Sequence, residues 1–402
     1  MMRNFRNALL VAIGALAFGA APGANAQETL KLGISAPMSG AAAVWGLGME
    51  WISKQAAQSI NDAGGVKVGG KTYKFEVVAY DNKYNAAEGT KVAQTLLNRD
   101  DCRYIIGGIG TAPVQAMQSL SERKGAIMFT TAWGMSIKGP KFPLTFTQIN
   151  TPYEVIPPLY SYIKKHNPSI KTVAILNPND ATGKETEAVS RKIWESIGVK
   201  VLSSDWYERG TTEFQSIAAK MVGQKPDVID LGVAPPGDSG VIFKEYKVLG
   251  WNGVKVVPAG TSAESMMKIG GDAVEGVYMG LSADFDGAQA TPVQRKLNVG
   301  MKAAVGEPIN VIQIGGYDAV MALKAAMEAA NSVEPKAIAA VLPNIVFDTS
   351  YGKTAFGGKD SYGSAQHMLV PAIVSQVKGG KLVELERLIP EELTKRLAAA
   401  KK

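Results

Sequence analysis

Few side chains in this sequence are equipped to make or break bonds. It holds one cysteine, Cys102, and two histidines, His166 and His367. A single cysteine forms no intramolecular disulfide and no cysteine-based zinc site. Cys102 stands just before the apolar run Tyr104-Ile105-Ile106 and reads as a small buried hydrophobe. His166 lies in Lys164-Lys165-His166-Asn167-Pro168, a solvated helix end; His367 precedes a strand, where a structural role is expected. There is no G-x-S-x-G elbow, no Walker phosphate loop and no His/carboxylate cluster at metal spacing. Gly64-Gly65 and Gly69-Gly70 read as turns. The sequence therefore predicts no catalysis, no metal and no cofactor.

What it offers instead is recognition. In Gly108-Ile109-Gly110-Thr111-Ala112-Pro113 a helix begins close to Thr111, directly after a strand. The Thr111 hydroxyl and free backbone amides, notably that of Ala112, can hold an anion there; Thr111 can also serve as the helix cap alone. Aromatic faces accompany it. Trp133 lies in a loop of small residues, Tyr84 follows Asp81-Asn82 at a strand end, and Tyr153 follows the break Gln148-Ile149-Asn150-Thr151-Pro152. Stacking faces beside an anion site suit an aromatic or other apolar carboxylate.

The elements that must position these residues alternate. Residues 30–34, 75–80, 104–107 and 126–129 read as strands, and 45–61, 86–98 and 113–124 as helices. A second set follows, with strands at 171–176, 200–202, 228–231 and 254–257 and helices at 183–197, 214–222 and 239–249. This β-α-β-α order implies two parallel sheets covered by helices. Residues 276–280 read as a strand returning to the first unit, 319–330 as an Ala-rich helix, and 368–388 as a hairpin turning at Lys378-Gly379-Gly380.

The chain has 402 residues, enough for two or three domains, and its 46% hydrophobic and 20% charged residues are those of a soluble globular protein. The formal charge is +7, of which Arg3 and Arg6 supply two. No basic run interleaved with aromatics is present, so nucleic acid is not an expected partner. Residues 1–26 read as a secretory signal peptide. Arg3 and Arg6 open it, an apolar core spans 8–18, Pro22-Gly23 break it, and Ala24-Asn25-Ala26 precede Gln27. No later stretch reaches about 18 apolar residues. The mature chain is expected to start near Gln27 and to reside in the periplasm.

Several of these segments resemble the type I periplasmic solute-binding proteins of ABC transporters, in the leucine/isoleucine/valine-binding branch. The matching words are Leu32-Gly33-Ile34-Ser35-Ala36-Pro37-Met38-Ser39-Gly40, Ile60-Asn61-Asp62-Ala63-Gly64-Gly65-Val66, Tyr80-Asp81-Asn82, Tyr104-Ile105-Ile106-Gly107-Gly108 and Gly271-Asp272-Ala273-Val274-Glu275-Gly276-Val277. The resemblance covers nearly all of residues 28–390 and implies an α/β fold. Two Rossmann-like lobes are joined by a three-strand hinge, with the ligand in the cleft between them. On that scheme residues 27–149 and 281–340 form the N-terminal lobe, and 150–280 and 341–402 the C-terminal lobe.

The resemblance also assigns site residues. Thr111 matches a family Ser/Thr that holds a ligand carboxylate, and Trp45 an aromatic that lines the cleft. Amino-acid binders read Ala-Ala-Thr/Ser where this chain has Ala132-Trp133-Gly134. The Ala132 carbonyl is kept for an ammonium, but Gly134 lacks the hydroxyl and offers only its amide. Branched-chain binders place a Glu, the main ammonium counter-charge, where Ala259 aligns. Thr182 aligns with a ligand-contacting Tyr, and Pro235 lies near another contact. Burying an ammonium without a partner costs several kcal/mol. Unless Asp180, Asp238 or Glu264 supplies the missing charge, the expected cargo is an aromatic or other apolar carboxylate without an α-amino group. It would be passed by a monomeric binding protein to a membrane permease. The alternatives are a branched-chain or other aliphatic amino acid or amide, and, from other classes, a ligand sensor or a two-lobed α/β enzyme.

Overall fold

A computed structural model describes residues 28–400; the signal peptide expected over 1–26 lies outside them. Among the described residues, sixteen strands build two sheets. The first contains β1 (Glu28–Ala36), β2 (Val66–Val68), β3 (Lys71–Asp81), β4 (Tyr104–Gly108), β5 (Ile127–Thr130) and β6 (Thr145–Thr147). The second contains β7 (Thr172–Pro178), β8 (Lys200–Tyr207), β9 (Val228–Asp230), β10 (Val254–Val257) and β11 (Tyr278–Met279). The chain then returns to the first with β12 (Val346–Thr349), β13 (Gly352–Gly357) and β14 (His367–Met368), and ends the second with β15 (Ala372–Lys378) and β16 (Lys381–Leu388). The orders are β12-β13-β14-β6-β5-β4-β1-β3-β2 and β16-β15-β11-β10-β9-β7-β8.

In each sheet the central pairs, β3-β1-β4-β5-β6 and β8-β7-β9-β10-β11, are parallel. Parallel strands are joined by crossover helices that cover both faces, and their sequences accordingly read as apolar runs. β4 is buried along its whole length. In the second lobe Tyr160 and Trp194 stack at 3.9 Å and both donate to the buried Asp230 carboxylate, the indole at 2.9 Å.

Two expectations are corrected. The segment 276–280 does not return to the first lobe. β11 pairs with β10 and β15 inside the second sheet, and the crossing follows it. Residues from 341 onward do not open the second lobe either. β12, β13 and β14 extend the first sheet, where His367 pairs with Thr147 of β6, so the third crossing falls between Met368 and Ala372. The terminal helix Glu391–Ala399 also packs on the first lobe, where Glu392 accepts from the Gly358 amide at 2.9 Å. The hairpin expected over 368–388 is found with its turn at Gly379-Gly380, but its first strand begins at Ala372, Met368 belonging to β14. Cys102 is buried to 1% exposure, which pushes its thiol up to about 12.

Helix Val311–Ala330 lies against helix Ala43–Asp62 and carries Asp318, whose buried carboxylate accepts from the Ser350 amide at 2.6 Å and hydroxyl at 2.9 Å. Burial lifts this acid from 3.8 to about 7. The folded state therefore favours its protonated form. The stability it lends is complete below about pH 3.8 and is lost as pH rises through about 7. Asp318→Asn keeps the shape and removes the titration. Measured by thermal unfolding, its advantage over the parent is expected to grow between about pH 5 and pH 8; parallel pH profiles would contradict this.

Candidate functional site

The carboxyl ends of the parallel strands in both lobes meet at one place, as expected for ligand sites of open α/β sheets. Tyr84 follows β3, Ile109 and Gly110 follow β4, Thr131 and Trp133 follow β5, and Ile149 follows β6. From the other side come Thr182 after β7, Val233 after β9, Ala259 after β10 and Leu281 after β11. With Trp45 and Ile312 these residues line a narrow interlobe cavity, tightly closed, with about 20 Å³ of room for a water-sized sphere. Its walls are aromatic and aliphatic, relieved by two threonines and the Tyr84 hydroxyl.

Local chemistry fixes the wall. Asp81 accepts from the Met38 and Lys83 amides at 2.9 and 2.8 Å, and Asn82 from the Tyr84 amide at 2.9 Å. These bonds turn the chain through left-handed backbone at Lys83 and Tyr84 (φ 48° and 57°), aiming Tyr84 at the cleft. The Trp45 indole donates across the cleft to Thr261 Oγ1 at 2.8 Å, and its ring centroid lies 6.1 Å from that of Tyr84. The Trp133 indole donates to the Asn150 carbonyl at 3.0 Å, which pins this ring at the hinge.

The groups expected to hold an anion or an ammonium are paired with the protein itself. Thr111 Oγ1 accepts from the Gly134 amide at 3.0 Å, and the Thr111 amide donates to Thr182 Oγ1 at 3.2 Å. A Cβ at Gly134 would stand 2.4 Å from Thr111 Cγ2, so this loop has no room for the Thr or Ser of amino-acid binders. The Ala132 carbonyl accepts from Lys138 Nζ at 2.9 Å, and so does the Gly134 carbonyl. Burial brings the Lys138 ammonium down to about 7. An internal amine thus occupies the carbonyl reserved, by resemblance, for a ligand ammonium. Across the cleft Glu185 accepts from the Met135 and Ser136 amides at 2.5 and 3.0 Å and from the Ser136 hydroxyl at 2.6 Å.

Of the residues named from sequence, the structure brings Trp45, Tyr84, Trp133, Thr182 and Ala259 to the cavity. Thr111, Ala112, Ala132 and Gly134 stand outside the lining, Thr111 and Gly134 in the seam beside it. Pro235 only precedes the helix Pro236–Val248, and Val233 supplies that wall instead. Tyr153 is 45% exposed and packs edge-on against Tyr362. His367 is buried 3.7 Å from Glu154 and away from the cavity; His166 is exposed. Ile109, Gly110, Thr131, Ile149, Val233, Leu281 and Ile312 were missed, although all but Ile312 lie within three residues of a strand end. Asp180, Asp238 and Glu264 do not fill the gap. Asp180 pairs with Arg209 at 2.5 Å, Asp238 accepts from Tyr207 at 2.9 Å, and Glu264 faces Lys268 at 3.9 Å. Among the described residues, no carboxylate lines the cavity.

A family model described as periplasmic binding protein matches residues 29–381. The leucine-, isoleucine-, valine-, threonine- and alanine-binding protein of Pseudomonas aeruginosa is 25% identical over 335 residues, 83% of this chain and 87% of that protein. A solute-binding protein of an R. palustris ABC transporter, solved in complex with benzoate, superposes with a TM-score of 0.76 at 21% identity, covering 90% of this chain and 97% of that one. A branched-chain amino acid transporter substrate-binding protein from Streptococcus pneumoniae, in complex with isoleucine, gives a TM-score of 0.73 at 18% identity, covering 90% and 100%. Two lobes meeting at the carboxyl ends of their strands are the shared architecture, and with the match along nearly the whole chain they place this protein in the periplasmic binding protein family, in its type I, leucine-binding-like branch.

Proposed function

We propose that this chain captures a small apolar carboxylate without an α-amino group, with aromatic acids as the preferred class, and presents it in the closed form to an ABC permease. The observation that carries this reading is the wall of the cavity. Aromatic and aliphatic side chains enclose it, with no carboxylate among the described residues to meet an ammonium. The engagement of the Ala132 carbonyl by Lys138 supports the same choice. An ammonium brought into such a site loses its hydration and gains no charge partner. An apolar ring loses nothing and adds stacking area on Trp45, Tyr84 and Trp133. Neighbours of both ligand kinds exist, one with benzoate and one with isoleucine, and the lining supports the first. The leader over residues 1–26 would deliver the chain to the periplasm, where a monomer suffices for capture and hand-over.

A thermal-shift panel tests the cargo. Benzoate at about 100 times its Kd is expected to stabilise the chain by about 2.7 kcal/mol, a rise of several degrees that grows with concentration. Leucine is expected to give none. A clear shift with leucine and none with any arylcarboxylate would overturn the reading. In a second experiment, Ala259→Leu places extra carbon atoms in the cavity wall. Calorimetric titration should show benzoate affinity weakened by at least about tenfold while Tm moves only a few degrees. Unchanged affinity would mean that the ligand binds elsewhere.

A further inference from the structure

Arg209 occupies the turn after β8 and belongs to the second lobe. Its side chain is 19% exposed. Nε donates to Asp180 Oδ2 at 2.5 Å, and Cζ lies 3.8 Å from the centre of the Tyr84 ring, which comes from the first lobe. Asp180 is itself fixed, because its other oxygen accepts from the Gly183 amide at 2.9 Å and caps the helix Ala181–Ser196. The guanidinium is therefore held on two sides. Its far side is not. Among the described residues, Nη1 and Nη2 are both buried and neither has a hydrogen-bond partner.

A guanidinium carries five N–H donors, and four of them sit on these two nitrogens. Buried polar groups in native proteins are nearly always satisfied, so an unmet pair calls for an acceptor. The fork matches two oxygens of a carboxylate. Its surroundings point to the cavity. Arg209 stacks on Tyr84, and its partner Asp180 stands two residues before Thr182; both Tyr84 and Thr182 line the cavity. The other nearby acid, Asp238, is engaged by the Tyr207 hydroxyl at 2.9 Å and makes no hydrogen bond to the fork. Lys138, in the loop after β5, spends its ammonium on the Ala132 and Gly134 carbonyls.

We infer that Arg209 is the residue that makes the site select an anion, with Nη1 and Nη2 receiving the ligand carboxylate at the edge of the cavity formed by Tyr84 and Thr182. The inference rests on the carboxylate reading above and replaces the Thr111 seam with a charged donor. Because Arg209 and Tyr84 belong to different lobes, this receptor is complete only when the lobes meet.

The test compares benzoate with benzamide, the same ring without the charge, by calorimetric titration of the mature chain. The parent is expected to bind benzoate at least about tenfold more tightly than benzamide. Arg209→Gln should weaken benzoate by at least about tenfold and leave benzamide within about threefold, so the preference collapses. Arg209→Lys keeps the charge without the fork and should fall between. If Arg209→Gln melts early because Asp180 is stranded, the double variant Asp180→Asn, Arg209→Gln removes that charge and should show the same collapse. A parent that prefers benzoate and an Arg209→Gln chain that keeps the preference would overturn this inference alone. A parent that binds no arylcarboxylate would overturn the ligand reading and this inference with it.

Discussion

A charge moved from water into the interlobe cavity must find its opposite there, and this requirement governs what the protein can hold. The cavity wall supplies rings and aliphatic carbon, and the carboxylates near it are committed elsewhere. Asp180 anchors Arg209, Asp238 is held by Tyr207, and Glu185 accepts from the loop at Met135 and Ser136. On the proposed reading, a ligand with a positive end loses hydration with nothing in return, whereas one with a negative end finds the Arg209 fork, whose Cζ lies 3.8 Å from the centre of the Tyr84 ring. The proposed ligand choice thus rests on how the existing charges are spent.

The two lobes are what bring these groups into register. Each sheet alone displays half a wall. Trp45 reaches Thr261, the Thr111 amide reaches Thr182, and Arg209 reaches Tyr84. All three contacts cross the cleft, so opening the hinge would break them together. Closure and recognition are therefore linked by the same bonds, and a ligand that adds contacts to both lobes shifts the balance toward the closed form.

Much of this was legible in the sequence because the central strands are continuous apolar runs and the helices between them carry turn and cap chemistry. The aromatic residues stood out by position, Trp45 and Tyr84 at strand-to-helix junctions and Trp133 in a loop of small residues after β5. Membership of the short strands was not legible. β11 and β14 have two residues each, and only their hydrogen-bond partners decide which sheet receives them. That is why the third crossing was placed near 341 instead of after Met368. The pairing of Lys138 with the Ala132 carbonyl and the free fork of Arg209 depend on how loops fold over one another, for which no local pattern exists. The small and aliphatic wall residues Gly110, Val233 and Leu281 carry no chemical signal of their own; only their position after a strand end marks them.

The account stands most directly on one matched pair. Phenylalanine and 3-phenylpropanoate share a skeleton and a carboxylate and differ by the α-ammonium alone. Calorimetric titration of the mature chain with each isolates the charge that the cavity is said to refuse. Tighter binding of 3-phenylpropanoate, by about a hundredfold or more, is the predicted result. Phenylalanine bound equally well or better would contradict it.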